Sequence, residues 1–202
     1  MATADPASSM GRPREFDRDA VLDAIIGLFW EQGFRATSVG DIVERTGLSK
    51  SSLYGAFGSK EALFETALDR YIVEHERMVD ERLVHGTRGF DDIEAFFRRG
   101  EEPVEPTPPR GCLAINTATE MRHADPVLVD LGVRHRRALR RGFTAALTRA
   151  VDLGEVEEQR VGHLANNLVT AVVGLTVMLT GGASSDELRS QLESILSSLR
   201  RP

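Results

Sequence analysis

The chain has 202 residues, with 25 basic and 31 acidic side chains, a formal net charge of −6, 41% hydrophobic residues and one cysteine. This length fits one compact domain or two small ones, and the composition is that of a soluble globular protein. A lone cysteine excludes an internal disulfide, and residues 1–15 lack the apolar core of a secretory signal, so we expect a cytoplasmic protein. No apolar stretch approaches the roughly 20 residues that cross a bilayer. The acidic balance argues against nucleic acid unless basic residues concentrate locally.

Apolar residues recur at helical spacing from the N-terminus onward, with no convincing alternating strand pattern, so an all-α fold is predicted. The first helix is expected from about Asp17 to Gln32. A second begins at Thr37 or Ser38 and ends at Gly47, and a short third helix is capped by Ser49. A long fourth helix follows the next glycine and serine.

The second half of the chain is predicted to be a helical bundle. A short helix is expected over Phe90–Arg98, and the proline-rich residues 99–109 indicate an exposed loop or hinge. A helix from about 111 to 122 comes next. Asp125 followed by proline starts a long helix that ends at Gly154.

The last two helices predict a subunit interface. Residues 161–179 are apolar on nearly every face, and the helix after 184 carries one clean apolar stripe. Ordinary monomer core is the alternative reading, but a homodimer is favoured because one chain of this size rarely encloses such a helix on both sides. The predicted interface residues are Leu168, Val172, Leu175, Leu179, Leu188, Leu192, Ile195, Leu196 and Leu199.

The segment VGDIVERTGLSKSSLYGAF, residues 39–57, has the pattern of a helix-turn-helix. Gly47 permits the positive φ of the turn, and the second helix projects Lys50, Ser51 and Ser52 outward. Small polar side chains and one lysine suit a DNA major groove. Between Arg45 and Lys60 there are three basic residues and no acidic one, so the segment carries +3 within a chain of −6.

The longer segment TSVGDIVERTGLSKSSLYGAFGSKEALF, preceded by a helix ending in EQGF, resembles the DNA-binding domain of the TetR/AcrR family of transcriptional regulators. The resemblance is close over about residues 17–64. It implies a three-helix DNA-binding domain, taken as 16–60 behind a flexible arm of 1–15, and a helical ligand-binding and dimerisation domain over 61–202. It further implies a homodimer that binds operator double-stranded DNA and usually represses until a small-molecule effector binds.

The same resemblance implies which residues contact DNA. Thr37 and Ser38 would meet phosphate, Tyr54 would hydrogen-bond the DNA backbone, and Lys60 would pair with phosphate, although each also has a purely structural reading as a cap, core edge or solvated helix start. Arginines 12 and 14 on the arm either enter a minor groove or belong to a plain disordered tail. The full predicted DNA-binding set is Thr37, Ser38, Arg45, Ser49, Lys50, Ser51, Ser52, Tyr54 and Lys60.

The effector site is predicted from helices that would surround a pocket. Cys112 at a helix start beside Arg110 is either a reactive sensor thiol with a lowered pKa or a buried small hydrophobe. His135 lies on an apolar arc and either orients a ligand or is a satisfied core histidine. Apolar walls with few polar atoms suit a lipophilic or aromatic effector. The predicted set is Phe96, Phe97, Cys112, Asn116, Met121, His123 and His135.

Catalytic and metal-binding motifs are absent from the sequence at recognisable spacing, so neither an enzyme nor a cofactor is expected. Five scattered histidines and one cysteine give no readable zinc site. The remaining alternative to a regulator is an all-α small-molecule carrier or ligand sink whose DNA binding is weak or vestigial.

Overall fold

The computed structural model of the chain describes residues 16–98, 110–121 and 125–200. These residues contain helices and no strand, which confirms the predicted all-α class. The predicted arm, the proline-rich segment 99–109 and His123 lie outside the described ranges. The helices are α1 (Arg18–Gln32), α2 (Val39–Thr46), α3 (Lys50–Phe57), α4 (Lys60–Val79), α5 (Phe90–Arg98), α6 (Leu113–Glu120), α7 (Pro126–Asp152), α8 (Val161–Thr180) and α9 (Ser185–Arg200).

Side-chain caps start the helices where the sequence places them. Ser38 Oγ accepts a hydrogen bond from the amide of Asp41 at 3.2 Å, and the Asp41 carboxylate accepts one from the amide of Ser38 at 2.7 Å, completing a capping box. Asp125 caps α7 by accepting from the Val127 amide at 2.8 Å. Gly47 adopts a left-handed φ of 68° and ends α2. Because these caps involve residues close together in the chain, the helix boundaries could be predicted from the sequence.

Two apolar clusters form the core. The first joins α1 to α4 with residues 112–115 and the start of α7, and its centre is an edge-to-face contact of Phe29 and Phe64 at 4.8 Å. The second joins the end of α4 with α5, α7, α8 and α9 around Phe143. Because the first cluster runs from the helix-turn-helix into α6 and α7, the DNA-binding unit and the bundle share packed surface.

Helix α7 passes very close to the end of α4. A Cβ atom added at Gly142 would lie 2.5 Å from Val79 Cγ1 and 3.1 Å from Leu83 Cβ, so only glycine fits there. Beyond Val79 the chain continues in a π-helical turn, Asp80–Val84, which the sequence did not predict. Side chains at the end of α4 that is remote from the helix-turn-helix therefore pack directly against the backbone of α7.

Helix α8 carries more apolar side chains than the chain itself buries. Residues Glu158–Thr180 meet the length and composition of a membrane span, with a mean hydropathy of 1.4, so the expectation that no stretch would do so is corrected. Only 22% of that apolar window is buried within the chain, and Val177 and Met178 are 46% and 36% exposed. Part of this helix thus presents apolar surface to its surroundings.

Four of the predicted interface residues face inward. Their exposed fractions are 7% or less, since they pack into the second cluster against the chain's own α7 and its neighbours. This burial corrects the prediction for these four, because an enclosed side chain has little area left for a partner. They are Leu168, Leu192, Leu196 and Leu199. The other five predicted positions are half-buried.

Candidate DNA-binding surface and effector site

Helix α3 presents a small polar face on an apolar support. Leu53 and Phe57 are 2% and 8% exposed and anchor it in the first cluster. Lys50 and Tyr54 are exposed, the latter by 44%. The outward face also carries three serines, and a Cβ added at Gly55 would meet open space, so a DNA backbone can approach closely.

Ser49 organises the start of this face. Its Oγ accepts from the Ser52 amide at 3.1 Å and lies 2.9 Å from the hydroxyls of both Ser51 and Ser52. The cap and the hydroxyl cluster hold the first turn of α3 in place. Its free amides and hydroxyls can then meet phosphate or base edges without a large ordering cost.

The side chain of Thr37 is not exposed as a phosphate contact would require. It is 1% exposed, and its hydroxyl donates to the carbonyl of Gly33 at 2.6 Å. The hydroxyl is enclosed and already used, so it is not available to a phosphate, and the DNA contact of Thr37 stays a prediction for its backbone. Ser38 beside it is exposed and caps α2, so that position remains open to phosphate.

Two basic side chains of the segment 45–60 are held by contacts with other residues. Glu31 on α1 pairs with Arg45 at 2.7 Å and with Arg110 at 2.7 Å. The hydrogen bond from Arg45, assisted by Arg110, lowers the pKa of the Glu31 carboxyl and keeps it ionised. Lys60 lies 4.3 Å from the centre of the Phe34 ring, which holds its ammonium at the start of α4. Glu31 and its two arginine partners together carry one positive charge, so the positive charge of the segment is kept although Arg45 is held in an ion pair.

Helix α6 connects the bundle to the loop ahead of α2. The Glu120 carboxylate at its end accepts from the backbone amides of Phe34 at 3.1 Å and Arg35 at 2.8 Å. Ahead of its start the carbonyl of Arg110 accepts from Trp30 Nε1 at 3.1 Å. The last residue of this eight-residue helix and Arg110, three residues before its start, are thus both hydrogen-bonded to the DNA-binding unit.

The predicted effector residues are divided among three places. Cys112 and His135 meet, with Sγ and Nε2 3.3 Å apart. Phe96 and Phe97 contact Phe143 in the second cluster, where the rings of Phe97 and Phe143 stack at 5.8 Å.

Asn116 and Met121 occupy the third place, near the DNA-binding unit. The Asn116 amide nitrogen donates to the carbonyl of Arg110 at 2.8 Å, and Met121 packs against the first cluster. The structure thus does not gather the set into one cavity. The effector assignment of these residues stays a prediction.

Cys112 lacks the electropositive setting expected of a sensor thiol. It is 8% exposed, and burial raises the pKa of its thiol despite hydrogen bonds from Tyr71 and from amides of α6. The Arg110 guanidinium points instead to Glu31. The expectation of a lowered pKa is therefore wrong, because desolvation outweighs the helix terminus.

A cavity of about 450 Å³ lies between the DNA-binding unit and the bundle. Its walls come from the end of α1, from α6 and from the end of α8, and include Trp30, Phe64, Asn116, Glu120 and Leu179. Asn116 and Leu179 are the residues of the predicted ligand and interface sets that line it. Its mixed apolar and charged walls suit a molecule with both an apolar body and a polar group.

Three residues that contribute to these sites were not among the predicted site residues. Tyr71 and His75 lie one turn apart on α4, and both side chains lie near Cys112. Their i, i+4 spacing predicts that they share one face of the helix. Glu120 gave no signal, because its bonds to the loop span 85 and 86 residues of chain.

Comparison with known proteins shows which family has this architecture. Residues 21–67 match the family model for bacterial regulatory proteins of the tetR family, and residues 89–200 match the tetracyclin repressor-like C-terminal domain. The chain is 34% identical over 190 residues to the HTH-type transcriptional repressor ComR of Escherichia coli strain K12, covering 89% of this chain and 87% of ComR. It is 32% identical over 193 residues to the uncharacterized HTH-type transcriptional regulator YezE of Bacillus subtilis strain 168, covering 94% and 100%.

Solved structures agree with these relatives. A triple cysteine mutant of the TetR family regulator CifR, in complex with 26 bp operator DNA, superposes with a TM-score of 0.80 at 27% identity, covering 94% of this chain and 100% of that one. Reduced NemR of E. coli superposes with a TM-score of 0.75 at 19% identity over 88% and 94%, which is a likeness of fold. The chain therefore belongs to the tetR family of bacterial regulatory proteins and is a helix-turn-helix transcriptional regulator.

Proposed function

We propose that the chain is a cytoplasmic, non-enzymatic repressor that binds operator DNA as a homodimer and leaves it when an effector binds. The observation that carries the proposal is the exposed face of α3, in which Lys50, three serines and Tyr54 stand on a helix anchored by Leu53 and Phe57. The CifR mutant, which matches 94% of the chain and was solved in complex with operator DNA, supports operator DNA as the partner.

Dimerisation is supported by the apolar surface that α8 leaves uncovered. Burying that surface against a second copy is favourable, and a twofold-symmetric dimer presents two equivalent α3 helices to DNA. Two recognition helices about 34 Å apart, or a multiple of that, fit successive major grooves of a pseudo-palindrome. We therefore expect a palindromic operator.

Release from DNA is supported by α6. An effector that shifts α6 moves Glu120, and the amides of Phe34 and Arg35 move with it, so the loop ahead of α2 changes position. A coupling free energy of about 1 to 3 kcal/mol is typical of such a linkage. The effector needs only to bind the shifted state better than the DNA-competent one.

The test begins with selection of bound duplexes from a random DNA pool. We expect one enriched palindrome, bound at least about 1,000-fold more tightly than random duplex at physiological salt. A compound screen for release of that duplex then identifies the effector class. Binding without sequence preference would contradict the proposal and favour the carrier reading.

A further inference from the structure

Three side chains with metal-binding atoms converge at the centre of the fold. His75 belongs to α4, Cys112 precedes the first residue of α6 and His135 lies on α7, and one ligand atom from each lies within 4.8 Å of the others. Sγ of Cys112 is 3.3 Å from Nε2 of His135. The two imidazole rings are 4.6 Å apart, inclined by 66°. The convergence of residues 75, 112 and 135 is a product of the fold, since nothing in their spacing along the chain indicates it.

This cluster is not explained by ordinary core packing. His135 is 1% exposed, and the Nδ1 atoms of both histidines are buried with no hydrogen-bond partner among the described residues. A buried polar atom without a partner costs free energy, so its retention calls for a role. Burial lowers the pKa of His75 to about 4 and of His135 to about 3, so both rings are neutral at neutral pH and each has one nitrogen lone pair.

The distances between the three potential ligand atoms are close to those in a three-coordinate metal site. With metal–sulfur and metal–nitrogen distances of about 2.3 and 2.0 Å, the ligand atoms of a three-coordinate site lie roughly 3.5 to 3.8 Å apart. Small side-chain rotations bring atoms now 3.3 to 4.8 Å apart into that range. Tyr71, whose hydroxyl donates to Cys112 Sγ at 3.4 Å, provides an outer hydrogen bond to the sulfur.

We propose that His75, Cys112 and His135 together bind one thiophilic metal ion, and that a monovalent ion such as Cu(I) is its preferred occupant. A thiolate with two imidazoles is a ligand set suited to copper or zinc. On binding, the Cys112 thiol loses its proton to solvent as the metal–sulfur bond forms, and no electron is transferred.

Charge balance selects the monovalent ion. One thiolate, two neutral imidazoles and Cu(I) sum to zero, whereas Zn(II) leaves a net positive charge in a buried site. The nearby charges do not compensate it, since Glu76 and Asp69 are paired with Arg134 at 2.6 and 2.7 Å and Arg136 is a further cation beside His135.

The position of the site gives the ion a regulatory consequence. It joins α4, α6 and α7, and α6 leads directly to Glu120 and the loop ahead of α2. A metal that draws Cys112 toward the two histidines moves the start of α6. This regulatory step rests on the proposed repressor function, whereas metal binding itself does not.

The test is an anaerobic titration of the full chain with Cu(I) against a chromophoric chelator, followed by X-ray absorption. We expect one ion per chain with one sulfur and two nitrogen ligands. Cys112→Ser and His135→Gln should each weaken binding at least about tenfold, as loss of a ligand does. His163→Gln, at an exposed histidine of α8, is the matched control and should bind like the wild type.

Several outcomes would overturn the assignment. No Cu(I) bound by the wild type, or unchanged affinity in a folded Cys112→Ser or His135→Gln variant, removes the site. Tighter binding of Zn(II) than of Cu(I) would show that charge balance does not determine which ion binds. If circular dichroism shows that the variants do not fold, the X-ray absorption spectrum of the Cu(I)-loaded wild type is the deciding measurement. A spectrum that shows no sulfur ligand to the metal contradicts the proposal.

Operator binding is measured separately, with and without Cu(I). Release of the wild type but not of His135→Gln supports metal as the effector, and unchanged binding of the wild type contradicts that step. Lack of specific binding even without metal would count against the repressor function instead. The two failures are therefore distinguishable.

Discussion

The Glu120 carboxylate lies 2.8 Å from the backbone amide of Arg35 and accepts a hydrogen bond from it, although 85 residues of chain separate them. The second carboxylate oxygen accepts from Phe34 at 3.1 Å. One side chain of the bundle thus satisfies two consecutive amides between α1 and α2. This contact makes the position of α2 dependent on that of α6.

Glu120→Gln should loosen the loop while keeping one acceptor oxygen. We expect a loss of about 1 to 2 kcal/mol in the free energy of unfolding, because a charged acceptor becomes neutral and one amide loses its partner. Amide hydrogen exchange at Phe34 and Arg35 should accelerate. Glu157→Gln, at an exposed acid before α8, is the control. Exchange equal to that of the wild type would show that the bonds do not hold the loop.

Thr37 and Ser38 should respond differently to loss of their hydroxyls. Thr37→Val removes a buried bond to Gly33 and should destabilise the fold by about 1 kcal/mol without changing the salt dependence of operator binding. Ser38→Ala removes the cap of α2, with a loss of similar size, about 1 kcal/mol, and also removes an exposed hydroxyl. Operator affinity corrected for folding should fall only for Ser38→Ala. A loss of operator affinity in folded Thr37→Val as large as that of Ser38→Ala would contradict its assignment as a structural residue.

Lys50→Ala should weaken operator binding through the loss of one ionic contact. The slope of log affinity against log salt concentration should decrease by about 0.9 if the ammonium meets a phosphate. Arg189→Ala on α9, at an exposed position remote in sequence from α3, is the matched control. A slope identical to the wild type would place Lys50 outside the DNA contact.

Val177→Glu should dissociate the dimer and leave the fold intact, since the residue is 46% exposed. Analytical ultracentrifugation should show monomers. Val129→Glu on α7, at 54% exposure, is the control and should remain dimeric. Leu192→Glu should instead unfold the chain, because that side chain is buried in the second cluster. Dimers of Val177→Glu at micromolar concentration would exclude this face as the interface.

Stability should fall with acid because of the two buried histidines. Their folded pKa values, about 4 for His75 and about 3 for His135, lie below the ordinary value of 6.5, so the unfolded state binds more protons as the pH falls from 6.5 toward 4. Stability is therefore complete above pH 6.5 and lost below it, by about 2 kcal/mol per histidine between pH 7.5 and pH 5. Denaturant unfolding at both pH values should show a smaller loss in His75→Gln than in the exposed control His163→Gln. Equal losses in these two variants would contradict the buried neutral state of His75.

Local signals in the sequence account for most of the fold. Ser38 with Asp41, Asp125 before proline and the left-handed Gly47 each act within a few residues, so the helix boundaries follow from neighbours along the chain. The exposed face of α3 was predictable for the same reason, since Leu53 and Phe57 alternate with polar residues at helical spacing.

The parts that escaped prediction depend on distant residues. The Thr37 side chain was assigned to DNA because burial against α1 is not visible from its neighbours, and Glu31 pairs with Arg45 from another helix. The α9 stripe was predicted as a subunit interface although three of its leucines are buried within the chain, because a stripe does not say whether its partner is the same chain or a second copy. The meeting of His75, Cys112 and His135 requires three helices to be placed first.

Because of the close contact at Gly142, we expect the end of α4 at Val79 to stay in place if the helix tilts. Helix α4 has 20 residues and is therefore about 30 Å long, with Lys60 at its far end beside the helix-turn-helix. A rotation of only about 5° around Val79 would carry Lys60 through about 2.6 Å, given the rise per residue of a helix. We therefore expect a small displacement near the centre of the fold to become a larger one at the end of α4 that adjoins the helix-turn-helix.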